Sequence, residues 1–228
     1  PTCIAQADNG EGAVIFVYHH VADDTPTSTS VTPAQFGKHL QAIEESGYRV
    51  WPLRKIIHYV RKDKPFPEHV IGITFDDAYS SVYKEAYPLL KEKGYPFTIF
   101  VPGKQIGNRP GLYTSWDQLA EMADNGGDIG NHSYSHSHFV RRKGDETRKE
   151  WLTRFRADIA RNQKVLRDKL DDEAVIKAVA YPYGEYTAAL SDVVTDMGYT
   201  GIGQHSGALS PDSDLSALPR YPMATGFA

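Results

Sequence analysis

The chain is nearly free of cysteine, with Cys3 the single one among 228 residues. An intramolecular disulfide and a cysteine-based zinc cluster are therefore both excluded. Long apolar runs are also absent, since no stretch approaches the roughly 18 residues that a membrane-spanning helix requires. Charge of one sign is not in excess either: 25 Lys and Arg stand against 29 Asp and Glu, a net charge of −4. Without a basic surplus, the composition argues against nucleic-acid binding.

The remaining composition is that of an ordinary globular protein, with 40% hydrophobic and 24% charged residues. One domain suffices at this length, because α/β barrels commonly run to about 200–250 residues. No linker or change of composition interrupts the chain. We therefore predict one domain over residues 14–228, preceded by an N-terminal segment, 1–13. Ala5-Gln6-Ala7 fits a small-x-small cleavage site, so that segment is either the remnant of a signal peptide or a chance match.

Short β-rich runs alternate with amphipathic helical stretches along the whole chain. The predicted strands are 14–20, 48–51, 70–75, 97–101, 128–131, 175–181 and 199–203. The predicted helices are 33–46, 53–60, 79–93, 115–123, 150–170 and 188–197, with a kink expected at Pro88. This alternation predicts a parallel sheet. An open sheet and a barrel both remain possible. We favour the barrel, because a ring of strand ends brings the polar residues that follow the strands to one point.

Two adjacent carboxylates, Asp76 and Asp77, end the otherwise apolar strand 70–75. Neighbouring acidic side chains at a buried strand end resist desolvation, so a positive partner is expected. The alternative is that Asp77 only caps the helix that follows.

Two histidines four residues apart, His132 and His136, follow the strand 128–131. On one side of a helical turn, both could reach one metal ion through neutral imidazole nitrogens. Such a pair often arises by chance. Together with a strand-end carboxylate, however, it gives a set of two histidines and one carboxylate that leaves positions open for water and substrate. This set suits Zn²⁺ and other divalent transition metals.

Three segments resemble the motifs of the polysaccharide deacetylases, the NodB-homology group of carbohydrate esterase family 4. They are Thr74-Phe75-Asp76-Asp77, Asn131-His132-Ser133-Tyr134-Ser135-His136 and Tyr181-Pro182-Tyr183-Gly184. Tyr18-His19-His20-Val21 is similar to the branch that includes bacterial deacetylases of poly-β-1,6-N-acetylglucosamine. The resemblance implies a distorted (β/α)7 barrel and a hydrolase that releases acetate from an N-acetylglucosamine polymer. It also implies a divalent metal, Zn²⁺ before Ni²⁺, Co²⁺ or Fe²⁺, and a periplasmic or extracellular location.

The resemblance also assigns roles to individual residues. It implies that Asp76 is the general base, that the backbone N–H of Tyr183 is an oxyanion donor, and that the metal ligands are Asp77, His132 and His136. The family's third motif has an arginine two residues before its proline, but Ala180 stands there in this chain. We expect Arg220 to replace that arginine and to keep Asp76 ionised, because a nearby cation lowers a carboxylate pKa.

The general acid is less clear, because the family's late Leu-His motif is not evident. In the branch resembled here the histidine of the early segment does this work, which makes His19 the candidate. His20 and His205 are alternatives. Strand alternation would let only one of His19 and His20 face the barrel interior. His138 is interpreted as a surface residue.

Three other functions compete with deacetylation. A glycoside hydrolase could use Asp76 and Asp77, although adjacent residues rarely flank a glycosidic bond at the required ~5–9 Å. A non-haem iron oxygenase also uses two histidines and a carboxylate. A catalytically weak carbohydrate-binding barrel is the third possibility, which the complete ligand set disfavours. The linkage of the polymer, the native metal and the oligomeric state stay open.

Overall fold

The computed structural model describes residues 12–67 and 69–225. The predicted cleavage site at 5–7 lies outside the described residues, so it stays a prediction, as do the domain boundaries and the location in the cell. Within the described residues, no helix is both long enough and apolar enough to cross a bilayer.

The described chain contains ten strands and six α-helices. The strands are β1 (Gly12–Tyr18), β2 (His20–Val21), β3 (Ser30–Val31), β4 (Arg49–Val50), β5 (His69–Asp76), β6 (Phe97–Val101), β7 (Gly127–Asn131), β8 (Val175–Ala180), β9 (Thr200–Ile202) and β10 (Tyr221–Pro222). The helices are α1 (Pro33–Ser46), α2 (Leu53–Arg61), α3 (Tyr87–Lys93), α4 (Trp116–Asp124), α5 (Arg148–Lys169) and α6 (Ala188–Asp196).

The main sheet is parallel, with the strand order β10-β1-β5-β6-β7-β8-β9, and β4 pairs with the first half of β5. Leu218 bridges Ile202 of β9, and three residues later the same segment begins to pair with β1 as β10. Residues 218–222 therefore connect the two edges of the sheet. The predictions of a parallel sheet and a barrel are confirmed.

The central strands are buried on both faces, as expected for a parallel sheet with helices outside and a packed interior. In β5, every residue from Val70 to Asp76 is buried. The helices around the sheet begin at strong caps: Thr32, Ser115 and Thr147 each form a capping box with a glutamine or glutamate three residues later. The Thr147 cap starts α5 at Arg148, two residues before the predicted start.

Two predicted elements are interrupted. The predicted strand 14–20 breaks at His19, after which β2 pairs with β3 in a separate small sheet. The predicted helix 79–93 contains a π-helical turn at Val82–Ala86 that ends directly before α3. Pro88 has no N–H to donate, and a π turn is one way in which a helix accommodates the missing bond.

Candidate active site

Asp76 and Arg220 form an ion pair at the carboxyl end of β5. Nη1 and Nη2 of Arg220 each lie 2.7 Å from one carboxylate oxygen of Asp76. Both side chains are 0% exposed. The structure therefore places next to Asp76 the residue expected to replace the family's missing arginine.

The guanidinium of Arg220 is fixed by two further hydrogen bonds. Nε donates to the carbonyl of Gly203 at 2.7 Å, and Nη1 donates to Oγ1 of Thr74 at 3.1 Å. Burial alone would raise the pKa of Asp76, but the charge and hydrogen bonds of Arg220 and the charge of His132 hold it below its ordinary value. Asp76 is therefore an ionised carboxylate at neutral pH.

Asp77 lies next to the two histidines of the second motif. Its Oδ1 is 2.9 Å from Nε2 of His136 and 3.4 Å from Nε2 of His132. The two Nε2 atoms are 3.3 Å apart. One ligand atom from each of the three residues can be chosen so that all lie within 4.8 Å of one another. This donor set, two imidazoles and a carboxylate, fits a divalent transition metal.

The hydrogen bond of His132 fixes its tautomer. Its Nδ1 lies 2.9 Å from the carbonyl of Ala180, which can only accept. Nδ1 therefore carries a proton, and Nε2, which faces Asp77 and His136, is the nitrogen available to a metal. Orientation of a metal-binding histidine by a backbone carbonyl is typical of metal sites. Burial would raise the pKa of Asp77, but hydrogen bonds from His132 and His136 hold it well below its ordinary value.

The second motif is not the helical turn that the spacing of its histidines suggests. Residues 132–136 form an irregular loop in which Ser133 and His136 have φ angles of 59° and 50°. The loop is stabilised by its own side chains: Asn131 accepts from the N–H of Ser133, and Oγ of Ser133 accepts from the N–H of His136. The two histidines therefore meet through a specific loop conformation and not through helical periodicity.

Helix α5 anchors this loop from outside. Nδ2 of Asn162 donates to Oδ1 of Asn131 at 2.9 Å and to the carbonyl of Val101 at 2.8 Å, while its Oδ1 accepts from the N–H of Gly103. Asp158, one turn earlier, accepts from the N–H groups of residues 134 and 135. Hydrogen bonds therefore connect the loop 132–136, which carries the two histidines, to both α5 and the end of β6.

Left-handed backbone is concentrated at the site. Of the six described residues other than glycine with positive φ, all except Asp63 belong to the three motif loops: Asp77, Ala78, Ser133, His136 and Tyr183. Such conformations cost of the order of 1–3 kcal/mol and persist where the surrounding structure enforces them, often at functional sites.

Tyr183 occupies the turn after β8, with φ of 60°. Within the described part of the chain, its backbone N–H makes no hydrogen bond. Its hydroxyl donates to the carbonyl of His136 at 3.3 Å, and its ring stacks on His138 with 3.8 Å between centroids. His138 is exposed, and its Nδ1 lies 2.9 Å from a carboxylate oxygen of Glu185. The third motif is therefore connected directly to the second.

The three candidate acids lie in different places. Burial lowers the pKa of His19, the charges of Asp76 and Asp77 oppose this, and its Nε2 is 3.2 Å from Nε2 of Gln204. His20 stacks on Tyr79 with 3.6 Å between ring centroids. Burial lowers its pKa, and the charge of Asp77 opposes this. Strand alternation does not decide between His19 and His20, because β1 ends at Tyr18 and His19 lies between β1 and β2. His205 is exposed on the last loop.

Two residues of this site were missed by the sequence analysis. Gln204 contacts His19 and Asp76, and Asn162 connects three loops. Neither side chain titrates or forms part of a recognisable spacing pattern. The only available signal was position: Gln204 directly follows the last predicted strand.

Comparisons with known proteins agree with this geometry. A family model described as polysaccharide deacetylase matches residues 63–202, more than half of the chain. YxkH of Bacillus subtilis (strain 168) is 28% identical over 215 residues, which cover 94% of this chain and 72% of that protein. Poly-beta-1,6-N-acetyl-D-glucosamine N-deacetylase of Escherichia coli (strain K12) is 23% identical over 250 residues, which cover 93% of this chain. The chain spans only 37% of that longer protein.

Among solved structures, IcaB from Ammonifex degensii superposes with a TM-score of 0.83 at 24% identity, and the match covers 95% of this chain and 94% of that one. This likeness confirms the predicted barrel of the NodB-homology type. The family match confirms the resemblance that the motifs suggested, and with it an enzyme of the deacetylase class. The chain belongs to the polysaccharide deacetylase family.

Proposed function

We propose that the chain is a metal-dependent hydrolase that removes N-acetyl groups from an N-acetylglucosamine polymer and releases acetate. The observation that carries this proposal is the position of the Asp77, His132 and His136 ligand set next to an ionised, arginine-bound Asp76. The relative from Escherichia coli, named as a poly-beta-1,6-N-acetyl-D-glucosamine N-deacetylase, supports the substrate class. Such a substrate also favours the expected periplasmic or extracellular location.

The three ligands fit a divalent metal, Zn²⁺ in first place, which when bound would supply a Lewis acid for the acetamide carbonyl. Asp76 takes the proton of the attacking water. Because its pKa is held below the ordinary value, it is ionised and ready to accept at neutral pH. The two bonds from Arg220 fix the orientation of the carboxylate. Oδ2 also faces Gln204, so Oδ1 is the oxygen with a further lone pair for the incoming proton.

The remaining steps use residues on neighbouring loops. Water adds to the carbonyl carbon, and the oxygen that becomes negative accepts a hydrogen bond from the backbone N–H of Tyr183. The C–N bond then breaks, and the amine leaves with a proton from His19. The products are acetate and a free glucosamine unit. His19 is preferred over His205 because Gln204 contacts both its Nε2 and Oδ2 of Asp76, whereas His205 is exposed on the last loop.

The same contacts disfavour glycoside hydrolysis. A glycosidase needs one carboxyl group that can hold a proton for the leaving oxygen. In this site the pKa of Asp76 is lowered by Arg220, and that of Asp77 is lowered further by two histidines. Neither carboxyl group therefore holds a proton at neutral pH that it could give to the leaving oxygen.

The decisive experiment measures acetate release from β-1,6- and β-1,4-linked N-acetylglucosamine oligomers, with a chelator and after Zn²⁺ is restored. We expect release that stops with the chelator and returns with the metal, and that is absent with fully deacetylated oligomers. Acetate release that is insensitive to chelation would contradict the metal dependence. New reducing ends without acetate would show a glycosidase instead.

A further inference from the structure

The side-chain amide of Gln204 lies between the two residues to which the proposed function gives proton-transfer roles. Its Nε2 is 3.2 Å from Nε2 of His19 and 3.4 Å from Oδ2 of Asp76. A primary amide nitrogen has two hydrogens to donate. Both neighbours accept when Asp76 is ionised and this nitrogen of His19 carries no proton. The geometry therefore joins the proposed base and acid through one neutral side chain.

Two hydrogen bonds of the preceding Gly203 hold the backbone next to Gln204. The carbonyl of the preceding Gly203 accepts from Nε of Arg220 at 2.7 Å, and its N–H donates to the carbonyl of Leu218 at 2.8 Å. The turn of the third motif packs against the side chain, since a Cβ added to Gly184 would come within 2.8 Å of Cβ of Gln204. Arg220, which binds Asp76, therefore also fixes the segment that carries Gln204.

Among the described residues, Gln204 provides the one hydrogen bond that the imidazole of His19 makes. The charged and titratable groups that face this imidazole act on it through their charge: Asp76, Asp77, His20, His132 and Arg220. Charge alone does not fix the rotation of an imidazole ring, whereas a directed hydrogen bond does.

We infer that Gln204 is a positioning residue, whose amide fixes the imidazole of His19 beside the carboxylate of Asp76. The inference rests on the proposed function, because it assigns Gln204 an effect on the proposed acid and base and no contact with the metal. In the resting enzyme, the neutral ring of His19 therefore carries its proton on Nδ1, since Nε2 accepts from the amide.

The kinetic test compares Gln204→Leu, which keeps the approximate size but loses the amide, with Gln41→Ala. Gln41 is exposed on α1 and bonds only to Glu45, so it serves as the control. We expect Gln204→Leu to lower kcat by about ten- to a hundredfold, the scale of a lost hydrogen bond between polar and charged groups. KM and metal content should stay at the wild-type values, because Gln204 contacts neither substrate nor ligand set in this proposal.

A second test needs no turnover. Nitrogen NMR of histidine-labelled protein reports which ring nitrogen of His19 is protonated, and the His19→Ala spectrum assigns the signal. We expect the Nδ1–H form in the wild type and a mixture of both forms in Gln204→Leu. A proton on Nε2 of the neutral wild-type ring, or an unchanged form in the variant, would overturn the inference.

The outcomes separate this inference from the proposed function. If the wild type released no acetate from any oligomer, the proposed function would fail, and the NMR measurement alone would decide whether Gln204 orients His19. If the wild type were active but Gln204→Leu matched Gln41→Ala, only the inference would fail. A raised KM with unchanged kcat would make Gln204 a substrate contact, and lost metal would assign it to the ligand site; either result overturns the positioning role.

Discussion

Arg220 and Asp76 are 144 positions apart in the sequence and form a two-bond ion pair that is fully shielded from solvent. The pair joins the segment that closes the barrel to the strand end that carries the proposed base. Folding of the last described segment and formation of the site are therefore coupled. Removal of one partner leaves an uncompensated buried charge, which typically costs about 3–5 kcal/mol.

Arg220→Lys should separate the charge of Arg220 from its geometry. Lysine keeps a positive charge but cannot form the paired bonds, so the pKa of Asp76 should rise. Since the base must be ionised, the acid limb of the pH–rate profile should move to higher pH, with metal content unchanged. Arg54→Lys is the control, because Arg54 pairs with Asp128 at the opposite, amino end of the sheet. An unmoved acid limb in Arg220→Lys would contradict the role of Arg220.

His132→Ala should weaken metal binding by at least about tenfold, since it removes a proposed ligand. His138→Ala is the matched control: His138 is in the same loop but exposed, and its Nδ1 faces Glu185. Calorimetric titration of both variants with Zn²⁺ measures the difference. Equal affinity in the two variants would place the metal elsewhere.

Asp76→Asn should stop turnover while the metal remains bound. Asparagine has the shape of aspartate but cannot accept the proton of the attacking water, and a positioned base contributes typically about 10²–10⁴-fold. Metal analysis of the purified variant, together with its acetate release, tests both parts. Loss of the metal would show that Asp76 is itself a ligand and would exchange the roles of the two aspartates.

The sequence predicted the site best at positions where the chemistry requires a particular type of residue. An apolar run followed by Asp76 and Asp77 predicted a strand end in need of a cation. Because position 180 is not an arginine, the sequence analysis predicted that Arg220 replaces it, and the structure places Arg220 against Asp76. The β-α alternation predicted the sheet, because period and length of the apolar runs are local properties.

The remaining features depend on contacts between distant segments. The break at His19 arises because β2 leaves the main sheet and pairs with β3, which the apolar pattern of residues 14–20 does not indicate. Position 204 is an ordinary glutamine in sequence, and its contacts exist only after the barrel closes. The meeting of His132 and His136 was predicted, but through a helical turn, whereas left-handed residues and side-chain bonds produce it.

Asn162→Ala should reduce metal affinity although Asn162 is no ligand. Its amide connects Asn131, Val101 and Gly103, so its removal frees the loop that carries His132 and His136. Loss of such a supporting hydrogen bond typically lowers metal affinity by about 10–100-fold. Lys164→Ala, on the exposed side of the same helix, is the control for helix stability. Unchanged Zn²⁺ affinity in a folded Asn162→Ala would show that the ligand loop keeps its shape without α5.

His19→Ala tests the proposed acid. An amine leaving group must gain a proton as the C–N bond breaks, and a positioned acid contributes typically about 10²–10⁴-fold to kcat. We expect a loss of this size with metal content preserved. Because an acid must be protonated to act, its deprotonation produces the alkaline limb of the pH–rate profile, and that limb should disappear with His19. His20→Ala should mainly lower stability through the lost stacking on Tyr79. If His205→Ala removed the alkaline limb while His19→Ala kept it, the acid would lie on the last loop, and the exposed His205 would have to approach the site when substrate binds.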